Sequence, residues 1–353
     1  MIGRLLGGIA TSLLFSVFES WLIRAHNDAG VSSYLPKSFS AAAYGNSIVA
    51  ILAGLFANYV ASLTEMAPFG NDDTSMLYFG GFVNPFDLAL TVLCICGVLA
   101  ALLWDENYGD SSGQKNNKKP FYEGFKSAFF TTIQSSEILL CGIICALFEG
   151  SMYIFVFMWT PSMTELTKLA NPDEEVDLPF GVIFSTFMVS CMAGSSIFSI
   201  VMDTKVKVER IGITVFSVAT CAFVFMTLSK SDTVTFLAFL VFEVCCGIYF
   251  PMMGTMKSTI VPENKRAAIY NLYRIPLNFI VISSLLVHLS VTQAFALCTI
   301  MMMTASLLQT RLVSVLETLS SKTSRANDGA LSPLLENEDE KIDSAEEGMS
   351  KEN

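Results

Sequence analysis

Apolar runs near the roughly 20 residues that a helix needs to cross a bilayer alternate with short polar connections along most of the chain. They fall at 4–25, 43–63, 83–104, 137–160, 180–202, 211–229, 233–256, 269–289 and 291–314, which predicts nine transmembrane helices. Lys and Arg follow the same alternation. Connections 26–42, 105–136, 203–210, 257–268 and the segment after 314 are basic, whereas 64–82, 161–179, 230–232 and 290 hold only Lys168 and Lys230. The basic side is read as cytoplasmic, so the C-terminus is expected inside and, nine being odd, the N-terminus outside.

The stretch 233–278 concentrates the unusual residues. An apolar run carries Glu243 in its middle, is expected to break at Pro251 and Gly254, and is expected to end in a loop with Lys257, Lys265 and Arg266. A second run then opens with Arg274. A carboxylate in the middle of a membrane span is costly, so it marks a pathway, a relay or a paired site.

Composition agrees with an all-α polytopic membrane protein: 52% of residues are apolar, 15% are charged and mean hydropathy is +0.54. The net charge of −11 says little about partners, because residues 312–353 hold ten Asp/Glu against four Lys/Arg. That acidic, Ser- and Asn-rich end, without aromatics, is expected to be disordered. All nine cysteines sit inside apolar runs and read as small buried side chains, with no disulfide framework or zinc spacing.

Residues 1–25 resemble a signal peptide only in part, since no small-residue cleavage pattern follows the apolar core. The face of Gly3, Gly7 and Gly8 reads instead as a tight helix interface. The acidic group Asp173, Glu174, Glu175 and Asp177 reads as a solvated loop rather than a cation site. Lys115, Lys118, Lys119 and Lys126 read as the positive-inside linker between halves rather than as a contact with anionic lipid. His26 and His288 are too far apart to suggest a metal, and no phosphate loop, nucleophile elbow or zinc motif is present. An enzyme, a cofactor and a nucleic-acid partner are therefore not expected.

Four blocks carry a family likeness: GRLLGGIATSLLFSVFESWL at 3–22, ALFEGSMYIFVFMWTP at 146–161, GVIFSTFMVSCMAGSS at 181–196 and GIYFPMMGTMKSTIVPENKRAAIYNLYRIPLN at 247–278. In this order they resemble the molybdate-anion transporters of the major facilitator superfamily, over residues 3 to about 315. The resemblance implies twelve core helices, in two six-helix halves built from inverted three-helix repeats. On that template 4–25 corresponds to the fourth helix, so about nine of twelve helices are present and a truncated form of a longer protein is expected. Residues 1–104 would be the remnant of the N-terminal half, 105–136 the cytoplasmic central linker, 137–314 the C-terminal six-helix half and 315–353 the acidic cytoplasmic tail.

The units 4–104, 137–229 and 233–314 each begin with a helix carrying Phe-Glu: Phe18-Glu19, Phe148-Glu149 and Phe242-Glu243. In the superfamily the first helix of each repeat lines the central cavity, which makes Glu19, Glu149 and Glu243 candidate protonatable coupling groups. The plainer alternative is that they cross-link helices through hydrogen bonds. An oxyanion also needs positive charge or converging donors when it leaves water. Arg4 and Arg274 are the candidates near apolar spans; Arg274 stands in Tyr-Arg-Ile-Pro-Leu-Asn, where Pro276 is expected to open the helix. A snorkelling anchor is its alternative. Tyr153, Tyr249, Asn271 and Asn278 are plausible neutral partners or interhelical glue.

The expected function is secondary active transport of a small oxyanion, molybdate by resemblance, by alternating access. The expected setting is a monomer in the plasma membrane. Three cavity acids keep a cation or neutral solute open, and a non-transporting membrane sensor is the remaining alternative.

Overall fold

The computed structural model describes residues 2–14, 16–69, 78–104, 121–170, 178–204 and 206–349. Side chains are described as far as Lys322, those of Ile2, Arg4, Asn58, Phe121 and Tyr122 excepted. The acidic group 173–177, the lysines at 115, 118 and 119, and the side chain of Arg4 therefore lie outside the described residues.

The chain is a helical bundle with α1 (Ile2–Leu14), α2 (Val17–Asp28), α3 (Leu35–Ser62), α4 (Asn84–Leu103), α5 (Phe121–Gln134), α6 (Ser136–Ala170), α7 (Phe180–Met202), α8 (Val208–Leu228), α9 (Asp232–Ile260), α10 (Arg266–Leu286) and α11 (Val291–Met349). Nine membrane-long apolar spans occur among the described residues, α1 and α2 counting as one. Where α2 begins, the Ser16 hydroxyl donates to the Ser12 carbonyl of α1. A short antiparallel pair, β1 (Ala67–Pro68) and β2 (Tyr78–Phe79), closes the connection from α3 to α4. Gly80 follows at φ +82°, where an added Cβ would collide with the Glu65 carbonyl.

The core lies in α6 to α11. Phe148, Phe155, Phe187, Phe216, Phe223, Phe239, Phe242, Tyr249 and Phe295 are almost fully buried and meet one another's ring edges and faces. Central in this core is α9, which packs on α6, α7 and α8 and also on α3. Its start is capped by Ser231, whose hydroxyl accepts from the Val234 N–H. The α7–α9 crossing depends on two glycines: a Cβ at Gly247 would overlap the Cys191 carbonyl, and one at Gly194 the Val244 carbonyl. Side chains as small as these let helix backbones approach where no water competes for packing.

From the N-terminal helices, α3 packs on α7 and α9, and the buried Ser40 hydroxyl donates to the Ser195 carbonyl. By contrast α4 exposes Leu90, Val92, Leu93, Ile95, Val98, Leu99, Leu102 and Leu103, the kind of surface that a bilayer covers.

Several expectations change. Nothing among the described residues lies within 4 Å of a Cβ added at Gly3, Gly7 or Gly8, so the tight glycine contact belongs to α7 and α9. Cys94, Cys96 and Cys221 are exposed on apolar helix faces rather than buried. Helix α9 does not break at Pro251 and Gly254, nor α10 at Pro276; both prolines sit inside continuous helices. In lipid the rest of the backbone gains more by staying paired than a single lost donor costs. The segment expected as linker carries α5 at its end, and α11 continues helical to Met349 through the segment that composition reads as disordered.

Candidate functional site

Four helices bring polar side chains to one cleft, whose empty volume, open solvent at its mouth included, is about 540 Å³. On α9, Tyr249, Met253 and Lys257 follow at four-residue spacing and so share one helix face. On α10, Tyr270, Tyr273 and Arg274 do the same at spacings of three and four, and on α6 Cys145 stands one turn before Glu149. Glu19 comes from α2, and Phe250 completes the lining.

The Tyr249 hydroxyl donates to Glu149 Oε1 at 3.0 Å, and its ring stacks on Phe148 with centroids 3.9 Å apart. Lys257 Nζ donates to Glu19 Oε2 at 2.8 Å and lies 4.5 Å from the centre of the Tyr270 ring. These two charged side chains are only 13% and 18% exposed, so their pairing is shielded from water, which would weaken the attraction between them. Lys257 and Arg274 line the same cleft as Glu149. Glu19 Oε1 and the Tyr270 hydroxyl are buried without a hydrogen-bond partner among the described residues. Tyr273 reaches the cleft because Gly142 leaves room for its ring, and its hydroxyl donates to the Ile138 carbonyl at 2.7 Å. Close by, Arg24 Nη1 pairs with Glu263 Oε1 at 2.5 Å, tying α2 to the short turn Glu263–Lys265 between α9 and α10.

Of the residues that the sequence singles out, Glu19, Glu149, Tyr249 and Arg274 meet in this cleft. Glu243 is elsewhere: it is buried on α9 near Cys191 of α7 and Cys246. Six residues separate it from Tyr249, about 9 Å along the axis and about 120° around it. Tyr153 and Asn278 lie one turn beyond Glu149 and Arg274; Tyr153 is half-buried, Asn278 is exposed, and neither lines the cleft. Asn271 accepts from the Ser12 hydroxyl at 2.6 Å and so joins α10 to α1.

The main correction is Lys257. Reading a break at Pro251 and Gly254 puts it in a cytoplasmic loop, but α9 runs on to Ile260 and aims it at Glu19. Tyr270 and Tyr273 were also missed. The available signal was the helical spacing Tyr249–Met253–Lys257, continued through the proline.

A family model described as "Sugar-transporters, 12 TM" matches residues 1–238. The chain is 32% identical over 320 residues to a molybdate-anion transporter of Xenopus tropicalis, covering 86% of this chain and 64% of that protein. The Xenopus laevis protein of the same name is 32% identical over 322 residues, and that of Danio rerio 28% over 312. The chain thus spans about 60 to 64% of the length of these curated relatives. With nine membrane-long apolar spans among its described residues and the family model matching two thirds of its length, the chain belongs to the family of that model, within the major facilitator superfamily.

Proposed function

We propose that this protein moves a small oxyanion, molybdate or one of similar shape and charge, across a membrane by secondary active transport with alternating access. One observation carries the reading: two fixed cations, Lys257 and Arg274, face one cleft together with the phenols of Tyr249, Tyr270 and Tyr273. A tetrahedral dianion leaving water needs such charge together with a donor, and of the three phenols the Tyr270 hydroxyl is the one left without a partner among the described residues. The name carried by the frog and fish relatives supports the same substrate class.

In this reading α6 to α11 form the C-terminal half and residues 1–104 contribute helices of the N-terminal half, with 105–136 as the cytoplasmic linker and the acidic end after 314 also cytoplasmic. Arg274 and Lys257 hold the anion, Tyr249 orients Glu149, and Glu149 and Glu243 take up and release the coupling proton. Tyr153 and Asn278, each one turn outward, line the path as the cleft opens. The protein works as a monomer in the plasma membrane.

A neutral solute is the second reading, favoured by the sugar-transporter description of the family model. Uptake of radiolabelled molybdate into proteoliposomes, with sulfate or a monosaccharide as competitor, separates the two. Saturable uptake that sulfate reduces, and that Lys257→Met abolishes, supports the oxyanion. Sugar competition, or full uptake by Lys257→Met at normal protein levels, overturns it.

A further inference from the structure

Glu19 stands out among the lining residues. Among those described it alone comes from α1 to α4, and it is a carboxylate paired with one of the two cations meant for an anion. Its hold is partial: Oε2 accepts from Lys257, while Oε1 is buried without a partner among the described residues. The Tyr270 hydroxyl, on the lining of the same cleft, is also buried without a partner among the described residues. Lys257 does not depend on Glu19 alone for its position, because its ammonium group lies over the Tyr270 ring.

These observations describe a cation site already filled by an internal anion that satisfies it poorly. A carboxylate offers two oxygens from a tether on α2, whereas a tetrahedral oxyanion offers four and is free to turn. Such an anion would accept from Lys257 and from the Tyr270 hydroxyl at once, leaving fewer buried donors unmet.

We propose that Glu19 is a tethered counter-anion that the transported oxyanion displaces from Lys257, so that substrate binding releases α2 from α9. The inference rests on the oxyanion reading above and adds to it a link between binding and movement. Displacement makes the Glu19–Lys257 pair a competitor of the substrate, and a ligand shifts a conformational equilibrium only through such differential contacts. Arg24–Glu263, outside the cleft lining, then still ties α2 to the turn that follows α9.

A competitor and a structural staple differ in the sign of one measurement. Equilibrium binding of radiolabelled molybdate is measured on the purified chain in nanodiscs. If Glu19 competes, Glu19→Gln binds molybdate at least about fivefold more tightly than the wild type, Glu19→Asp binds like the wild type, and Lys257→Met binds poorly with either residue at 19. If Glu19→Gln binds no more tightly while the wild type binds, the inference is overturned and the oxyanion reading stands. If neither the wild type nor Glu19→Gln binds molybdate, both are overturned.

A second measurement needs no change at position 19. Trp21, two residues on, stacks on Trp104 with centroids 4.7 Å apart. Saturating molybdate should alter tryptophan emission in the wild type but not in Lys257→Met. Unchanged emission in a wild type that binds molybdate overturns the release of α2.

Discussion

Tyr249 joins two helices in two ways at once: its hydroxyl donates to Glu149 Oε1 at 3.0 Å while its ring lies on Phe148, both residues belonging to α6. Tyr249→Phe should keep the stacking and remove the donor, leaving a poorly hydrated carboxylate oxygen unmet at a cost of about 1–3 kcal/mol. Thermal unfolding of the purified protein should therefore rank wild type above Tyr249→Phe and Tyr249→Phe above Tyr249→Ala. Adding Glu149→Gln to Tyr249→Phe should cost less than the two changes separately, because they act on one bond.

The coupling role predicts that Glu149→Gln and Glu243→Gln each flatten the pH profile of molybdate uptake, although only Glu149 lines the cleft. The check is uptake across a range of pH at matched protein levels. Wild-type profiles in both variants would reduce the two acids to structural side chains.

Arg274 tests the geometry of the anion site. A guanidinium offers an oxyanion two parallel donors where an ammonium offers a point charge, so Arg274→Lys should raise the KM for molybdate about tenfold although the charge is kept. Arg274→Ala should raise it further. An unchanged KM in Arg274→Ala would assign the residue to anchoring.

The α7–α9 crossing predicts where bulk is not tolerated. Gly247→Ala and Gly194→Ala each place a methyl group against a backbone carbonyl, which cannot move aside as a side chain would, and should destabilise by about 1–3 kcal/mol. Gly181→Ala on α7 meets nothing within 4 Å and serves as the control. Equal melting temperatures for Gly247→Ala and Gly181→Ala would contradict the close approach.

Topology is open to a direct check. Tags placed after residue 320 and within 110–118 should be protected from external protease in intact cells, and a tag within 170–176 should be cleaved. Cleavage at 110–118 in sealed cells would reverse the assigned orientation.

The nine spans were legible in the sequence because each rests on a local sum: transfer of about 20 mostly apolar residues into lipid outweighs any single polar residue among them. Glu19, Glu149, Tyr249 and Arg274 were legible as candidates for the same reason, since polar groups in apolar runs are conspicuous. Lys257 was not, because a proline and a glycine just before it looked like the end of a helix. In lipid α9 keeps its backbone paired through both, which turns a supposed loop residue into a member of the cleft.

Which candidates meet is a matter of register and rotation between helices, and no local pattern encodes it. Glu149 and Glu243 hold equivalent places in their sequence units, yet one faces Tyr249 in the cleft and the other is buried near Cys191. That difference follows from how far α9 slides and turns against α6 and α7, and the fit of Gly194 and Gly247 at their crossing constrains both. The residues by themselves determined that charges lie within the membrane; only packing decided that Glu19 and Lys257, 238 positions apart, stand 2.8 Å from each other.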